Sequence, residues 1–274
     1  KAEGTLHEWQ TDALAAAATN AQVEGDEIAF TAVVPTSRIN NRTQISRKSV
    51  IVSGTQDTVN TAGRNQELAY QISKNAKELK RDMELVLCNN QSAAVGGAAA
   101  ARTSSGLASW IQTNINAIGA NGAVGGVDTP GILRTNGAQR AFTEAQLKGV
   151  AASTWNSGGD PSMIMLGSFN KQKLSGFTGG STKMTQADDK KLVAAIDIYE
   201  SDFGSMTVVP NRFSRSRDVF VLQPDMWAVA YLRDFQMIDL AKTGDAEKKA
   251  MLAEYTLVAK NEAANGAIFD LTTA

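Results

Sequence analysis

The sequence predicts an α+β fold organised around one long helix, and three observations carry that expectation. A proline-free apolar stripe recurs at helical spacing from Thr61 to Asn90, and short β-prone runs fill the second half of the chain. The residues before Thr61 hold too little apolar surface for a core of their own. At 274 residues the chain has room for one large core or two modest lobes.

Composition narrows the function. Charged residues at 20% and hydrophobic ones at 43% are ordinary globular usage, so the chain should fold. A net charge of −1 excludes a dedicated nucleic-acid binder, which needs a clustered basic surplus. Apolar runs such as Ala13–Ala18 and Trp227–Leu232 fall short of the ~20 residues of a membrane span. Cys88 is the single cysteine, so no internal disulfide forms and stability must come from packing and assembly. The chain opens at Lys1 without Met and without a signal-peptide pattern; the expectation is that an upstream segment has been removed.

Residues 1–25 read as an arm. Thr5-Leu6-His7-Glu8 has capping-box spacing ahead of an Ala-rich stretch, which predicts a helix, yet Leu6, Trp9 and Leu14 supply too few apolar groups for it to stand alone. Residues 26–58 read as a long two-stranded excursion: Glu27–Val34 is β-prone, Pro35 interrupts, and β-character resumes at Ser49–Ser53. No Asp or Glu occurs between Ile28 and Gln56, while Arg38, Arg42, Arg47 and Lys48 do, so its tip is expected to be basic and coreless.

Residues 59–105 hold the long helix, with Leu68, Ile72, Leu79, Met83, Val86 and Leu87 on one stripe and the pairs Lys74/Glu78 and Lys80/Glu84 on the other. A continuous Thr61–Asn90 helix would be a rod of roughly 40 Å, expected to bury its stripe against a strand carrying Tyr255 and Leu257. Ser92–Gly106 and the glycine-rich Gly119–Gly131 read as loops.

Residues 106–222 read as a mixed lobe. Leu107, Trp110, Ile111 and Ile115 suggest a short helix; Thr143 caps another that runs to Trp155 with Leu147, Val150, Ala151 and Trp155 inward. Ser162–Leu166 reads as a buried strand and Asn170–Gly176 as a helix. Leu192–Tyr199, Met206–Pro210, Val219–Leu222 and then Trp227–Leu232 suggest a mostly antiparallel sheet. Within residues 223–274, Tyr255, Leu257 and Ala259 alternate with Glu254, Thr256, Val258 and Lys260, a strand with one buried face. Asn265-Gly266 permits a turn before Ile268–Leu271, and Trp110, Trp155 and Trp227 read as core anchors.

Catalytic chemistry finds little support. His7 in the arm is the only histidine, so a Ser/His/Asp or Cys/His system would have to be built on a mobile terminus. His7-Glu8 opens like a zinc-protease helix, but Asp12 stands where its later histidine belongs, so no metal or cofactor is expected. Asp202-Phe203-Gly204 copies the kinase metal-binding tripeptide without its companion motifs and reads as a strand-to-strand turn. Asn41-Arg42-Thr43 is a formal glycosylation sequon without evidence of secretion. The cluster Asp188, Asp189, Lys190, Lys191 reads as surface, and Cys88 as core packing. The basic stretch Arg38–Lys48 is the one charge feature with a functional reading: it can reach carboxylates of a neighbouring chain or DNA phosphates.

The order of arm, β-excursion, long helix, mixed lobe and returning strand resembles the Hong Kong 97 fold of tailed-bacteriophage major capsid proteins. The stretches that carry the resemblance are Glu67–Asn89, Leu107–Asn114, Tyr199–Gly204, Asn211-Arg212, Ala241–Asp245 and Glu254–Leu257. It implies an N-terminal arm (1–25), an extended E-loop (26–58), a peripheral lobe with the spine helix (59–105), a mainly axial lobe (106–222) and returning peripheral strands (223–274). It also implies a structural subunit, not an enzyme, that assembles in the host cytoplasm as hexamers and pentamers of an icosahedral virion shell. Packaged double-stranded DNA would be held non-specifically, with portal, scaffold, maturation protease and decoration proteins as further partners and no membrane. Trp9, Arg38, Arg42, Arg47 and Lys48 would meet neighbours, with Glu78, Asp82 and Glu84 as the carboxylates they pair with. An encapsulin-like compartment is the second reading. A third is an α/β enzyme, which would show a pocket of convergent polar groups.

Overall fold

A computed structural model describes residues 1–12, 14–28, 30–59, 63, 66–118, 133–177 and 197–273. The N-terminal residues form a strand, β1 (Leu6–Thr11), paired antiparallel with β2 (Ser37–Arg42). The helix expected from the capping-box spacing is absent among the described residues. Trp9 explains why: its indole N–H donates to the Ala259 carbonyl and its ring packs on Trp110. Extended backbone delivers that contact. The β-prone Ile28–Val34 carries no strand among its described residues.

β3 (Gln44–Ser53) follows one residue after β2 and is succeeded by a short helix, α1 (Gly54–Thr58). The basic stretch is therefore two strands and not a loop tip. It is not coreless either, since Asn40, Asn41 and Thr43 are fully buried. The Asn41 amide donates to the carbonyls of Ser105 and Leu257. Burial here rests on satisfied polar groups, which an apolar pattern cannot reveal.

The long helix, α2, runs Glu67–Cys88, about 33 Å and shorter than the Thr61–Asn90 expectation. Its stripe faces the sheet: Leu79 and Met83 are buried, Met83 packs with Ala253 and Tyr255, and Leu257 joins Cys88 and Trp110 further along. Leu68 and Ile72 are half-buried. The sheet under the helix has the order β3-β10-β9, built from β9 (Trp227–Asp239) and β10 (Ala246–Ala259). Both strands extend well beyond the runs read in the sequence, forming a long hairpin. The inner half of β10, Leu252–Ala259, is buried on both faces, where one buried face was expected. α2 covers one side, and Ala2, Thr43 and Ser104 close the other.

The second lobe contains α3 (Leu107–Trp110), β4 (Asn114–Asn116), α4 (Glu144–Asn156), β5 (Met163–Leu166), α5 (Ser168–Ser175), β6 (Ile198–Ser201), β7 (Gly204–Pro210), β8 (Val219–Leu222) and β11 (Gly266–Ile268). Its six strands run β4-β11-β8-β5-β7-β6, with β4–β11 and β5–β7 parallel and the other pairs antiparallel. Strand alternation sends Ile164, Leu166, Val219 and Val221 into one core and Met165, Phe220 and Leu222 into the other. Thr143 caps α4 in a capping box with Gln146. Asp202 and Phe203 form the two-residue turn between β6 and β7, closed by Gly204 at φ +137.

Two expectations are corrected here. Trp155 is not a core anchor: it is 54% exposed and packs its ring against Phe203 on that turn. Gly266 serves no turn; it lies in β11, where a Cβ would fall 2.4 Å from Val150 Cγ1, so its smallness lets α4 seat on the sheet. Gly119–Gly131 and Asp188–Lys191 lie outside the described residues.

A candidate assembly surface

The residues read as interface fall into two groups. Several are engaged within the chain. Trp9 is held by Ala259 and Trp110, and Arg38 lies 3.8 Å from Glu8 across the β1–β2 ladder. Lys48 reaches Asp82 at 2.8 Å and Glu78 at 3.9 Å. Hydrogen bonding to Asp82 raises the Lys48 pKa above its ordinary value. Glu84 accepts the Asn211 amide at 2.7 Å and the Cys88 thiol, and burial pushes that thiol well above its usual range. Of the match expected between the basic stretch and the helix carboxylates, the structure holds the Lys48 part, with Glu78 and Asp82, inside one subunit. It arises because β3 lies alongside α2. Arg42 is half-buried. Arg47 is exposed and has no carboxylate partner among the described residues.

A residue that sequence reading missed is Glu254. It is 3% exposed and lies where the β9–β10 ladder shifts register. Thr43 Oγ1 and Arg233 Nε each donate to it at 2.8 Å, and Arg102 forms a third contact. Three distant segments therefore meet one buried carboxylate at a bulge, a feature that re-aims strands. The signal was faint: a lone acid inside an apolar run.

Beyond the bulge the hairpin leaves the body. Side chains directly opposite in an antiparallel ladder share a face. Lys48, Val50, Lys249, Met251 and Met237 face α2. The opposite face holds Arg47, Ile51, Lys248 and Ile238 and ends at the body with buried Leu252 and with Ile45 opposite Glu254; Ile45, Ile51 and Ile238 are 47%, 63% and 38% exposed. Residues 14–28 and 30–36 are exposed throughout, with Phe30 at 95% and Val33 at 93%. A cleft lined by Thr11, Asp12, Trp110, Lys260 and Glu262 holds about 90 Å³. Small-molecule sites usually hold ~300–1,000 Å³.

An apolar strand pair and an apolar segment both open to water mark a chain built to meet other chains, and comparison with known proteins says which kind. A family described as SU10 major capsid protein matches residues 1–272. The chain belongs to that family. Over 311 aligned positions it is 30% identical to the major capsid protein of Escherichia phage Phieco32, covering 97% of this chain and 85% of that one. A solved structure from Gordonia phage Cozz superposes with TM-score 0.61 at 12% identity, covering 100% of this chain and 82% of the other. A Cyanophage A-1(L) capsid asymmetric unit gives TM-score 0.59 at 12% identity, covering 100% and 90%. The fold is the Hong Kong 97-type capsid fold. This phage major capsid protein is a structural subunit of the virion head and not an enzyme, and neither the encapsulin-like nor the enzyme reading is supported. No helix among the described residues is long and apolar enough to cross a membrane.

Proposed function

We propose that the protein tiles an icosahedral shell of hexamers and pentamers around double-stranded DNA, joined through residues 12–36 and the outer half of the β9–β10–β3 sheet. The observation that carries this reading is apolar surface without a core: Leu14, Ile28, Phe30, Val33 and Val34 are each at least 78% exposed, an arrangement a free monomer cannot favour. Residues 26–58 act as the extended loop, 59–105 with the β9–β10 hairpin of 223–274 as the peripheral lobe, and 106–222 with β11 as the axial lobe. Trp9, Arg38, Lys48, Glu78 and Asp82 act indirectly, by fixing β1–β3 to the body from which the interface projects, and Glu84 ties α2 to Asn211 within that body. Each contact is modest, but a subunit clasped by several neighbours gains effective concentration with every one. With 27 basic against 28 acidic residues, packaged DNA is enclosed and not read; portal, scaffold, protease and decoration proteins complete the assembly.

The test exploits the ladder. Thr11 pairs with Ser37, so residues 12–36 can be replaced by an Asn-Gly turn that closes β1–β2 as a hairpin. Electron microscopy of the full chain should show closed shells, and of the shortened chain a folded, particle-free subunit. Full-length protein that stays monomeric at high concentration refutes the reading.

A further inference from the structure

The long helix sorts its charges by face. Glu67 is buried. Glu78, Asp82 and Glu84 are half-buried and engaged, the first two by Lys48 and the third by Asn211 and Cys88. Of the charged residues of α2 only Lys74, Lys77, Lys80 and Arg81 are exposed, so its open stripe is cationic. At 3.6 residues per turn, Lys74, Lys77 and Arg81 fall within about 60° of one another, with Lys80 about 60° further round.

Lys77 sits at the centre of that stripe. Its charged neighbours three and four positions away are Lys74, Lys80 and Arg81, all of its own sign, and like charges at this spacing destabilise a helix. Lys74 has Glu78 at 3.8 Å, whereas Lys77, Lys80 and Arg81 have no carboxylate partner among the described residues. Lys80 lies over the Phe235 ring at 5.8 Å and Arg81 over the Phe213 ring at 5.4 Å, contacts that orient the two cations without neutralising them. Arg212, next to Phe213, is exposed as well. On the neighbouring β9, Asp239 is held by Lys249 and Asp234 is exposed, so the cations outnumber the open acid. A helix that keeps unneutralised like charges side by side presents a surface suited to a dense external anion.

Resting on the reading of a shell around DNA, we propose that the stripe of Lys74, Lys77, Lys80 and Arg81 is where each subunit meets the phosphate backbone of the enclosed duplex, which turns this face of α2 toward the shell interior. From Lys74 to Arg81 the stripe spans about 10 Å, a length over which one strand of B-form DNA presents about three phosphates. The helix amides Gln71 and Asn75 donate to Glu67 and to the Ser49 carbonyl. That leaves lysine and arginine, which neutralise phosphates without reading sequence. The proposal also reconciles a net charge of −1 with a DNA-filled shell: the basic surplus is confined to one stripe and repeated in every copy, so each contact is weak and the lattice supplies the number.

The test is salt-dependent binding of a fluorescent duplex to the full chain, under conditions that keep it unassembled. With four phosphates neutralised, affinity should fall about a hundredfold between about 50 and 200 mM salt, equally for duplexes of unrelated sequence. K74Q/K77Q/K80Q/R81Q should weaken binding about tenfold or more at the lower salt and flatten the log–log slope by about 3, and K77Q alone by about 1. The exposed lysines of the control variant K148Q/K173Q/K260Q lie elsewhere, and its slope should stay near wild type. The urea midpoint of the fourfold variant should match or exceed wild type, since like charges have been removed; should that variant not fold, K77Q decides by its slope. An unchanged slope in the stripe variants overturns the proposal, as does an equal loss in the control. Stripe-dependent binding of poly-glutamate but not of DNA would make the occupant an acidic protein segment, and loss of empty particles by the fourfold variant would make the stripe a subunit contact; either result overturns the proposal. The binding measurement needs no particles, so their absence from the wild-type chain counts against the shell reading, and absence of stripe-dependent DNA binding against this inference alone.

Discussion

The two halves of β10 are one strand in two environments. From Leu252 to Ala259 every residue is buried, whereas from Ala246 to Met251 every residue is half-buried, with the bulge and Glu254 near the boundary. The inner half belongs to a domain core and the outer half to a partly open sheet, the part that a second chain would cover under the proposed shell. A strand that changes from one to the other without interruption shows how a shell subunit combines a rigid body with a projecting arm: the same backbone ladder serves both, and side-chain burial alone distinguishes them.

The comparison breaks if the outer half proves as costly to disturb as the inner. The largest effect is expected in the body: Phe220→Ala removes a fully buried ring packed edge-on against Phe269 and should cost about 3–5 kcal/mol in urea unfolding of the subunit. At the boundary, Glu254→Gln should cost about 3 kcal/mol, held to the low end because the Arg233 side chain is 42% exposed. Hydrogen exchange should quicken in residues 246–252 while 255–259 stay protected. Uniform loss of protection would mean that Glu254 merely stabilises the fold.

A buried ionic cluster in the other lobe sharpens the contrast through pH. Burial raises the Asp218 pKa from 3.8 to about 6, against the pull of Arg215 at 3.2 Å and of nearby Arg134 and Arg217, with Asp270 adding to the rise. Because the folded-state value lies above the unfolded one, the folded protein binds the extra proton between these pH values. Its stability contribution therefore falls as pH rises from about 4 to 6 and is regained on acidification. The span is on the order of 2–3 kcal/mol. Measured as wild type minus Asp218→Asn, stability should rise as pH is lowered from 7 to 4; a flat difference would sink the assignment. The outer hairpin has no such group among its described residues.

Sequence and structure agree where the determinants are local. The α2 stripe, the Thr143 cap and the Asp202-Phe203 turn are short-range patterns and were legible. What escaped was non-local. Leu6–Thr11 carries a helix-start spacing yet becomes a strand because its partner, Ser37–Arg42, lies twenty-six residues on. That partner reads as a loop because it buries Asn40 and Asn41 and not valines. Of the interface residues, the cations were visible as a run without acids, but which of them face α2 and which face outward depends on the β3–β10 register. Periodicity in a polar strand does not fix that register.

The smallest effect on the subunit is the most informative for its assembly. Ile51 is 63% exposed and Phe30 95% exposed, so in an isolated subunit Ile51→Ser and Phe30→Ser remove almost no buried contact. Surface changes away from caps and cores typically stay within about ±0.5 kcal/mol, and these two should do so in urea unfolding under conditions that keep the chain unassembled. If both side chains are covered in the shell, the same substitutions forfeit apolar burial at every copy-to-copy contact, about 25 cal/mol per Å². A deficit too small to register in one subunit is then multiplied across the lattice. Particle yield should fall while the unfolding midpoint stays put. A shifted midpoint would place these residues in the subunit core, and an unchanged yield would leave the outer half of β10 without the partner that distinguishes it from the inner half.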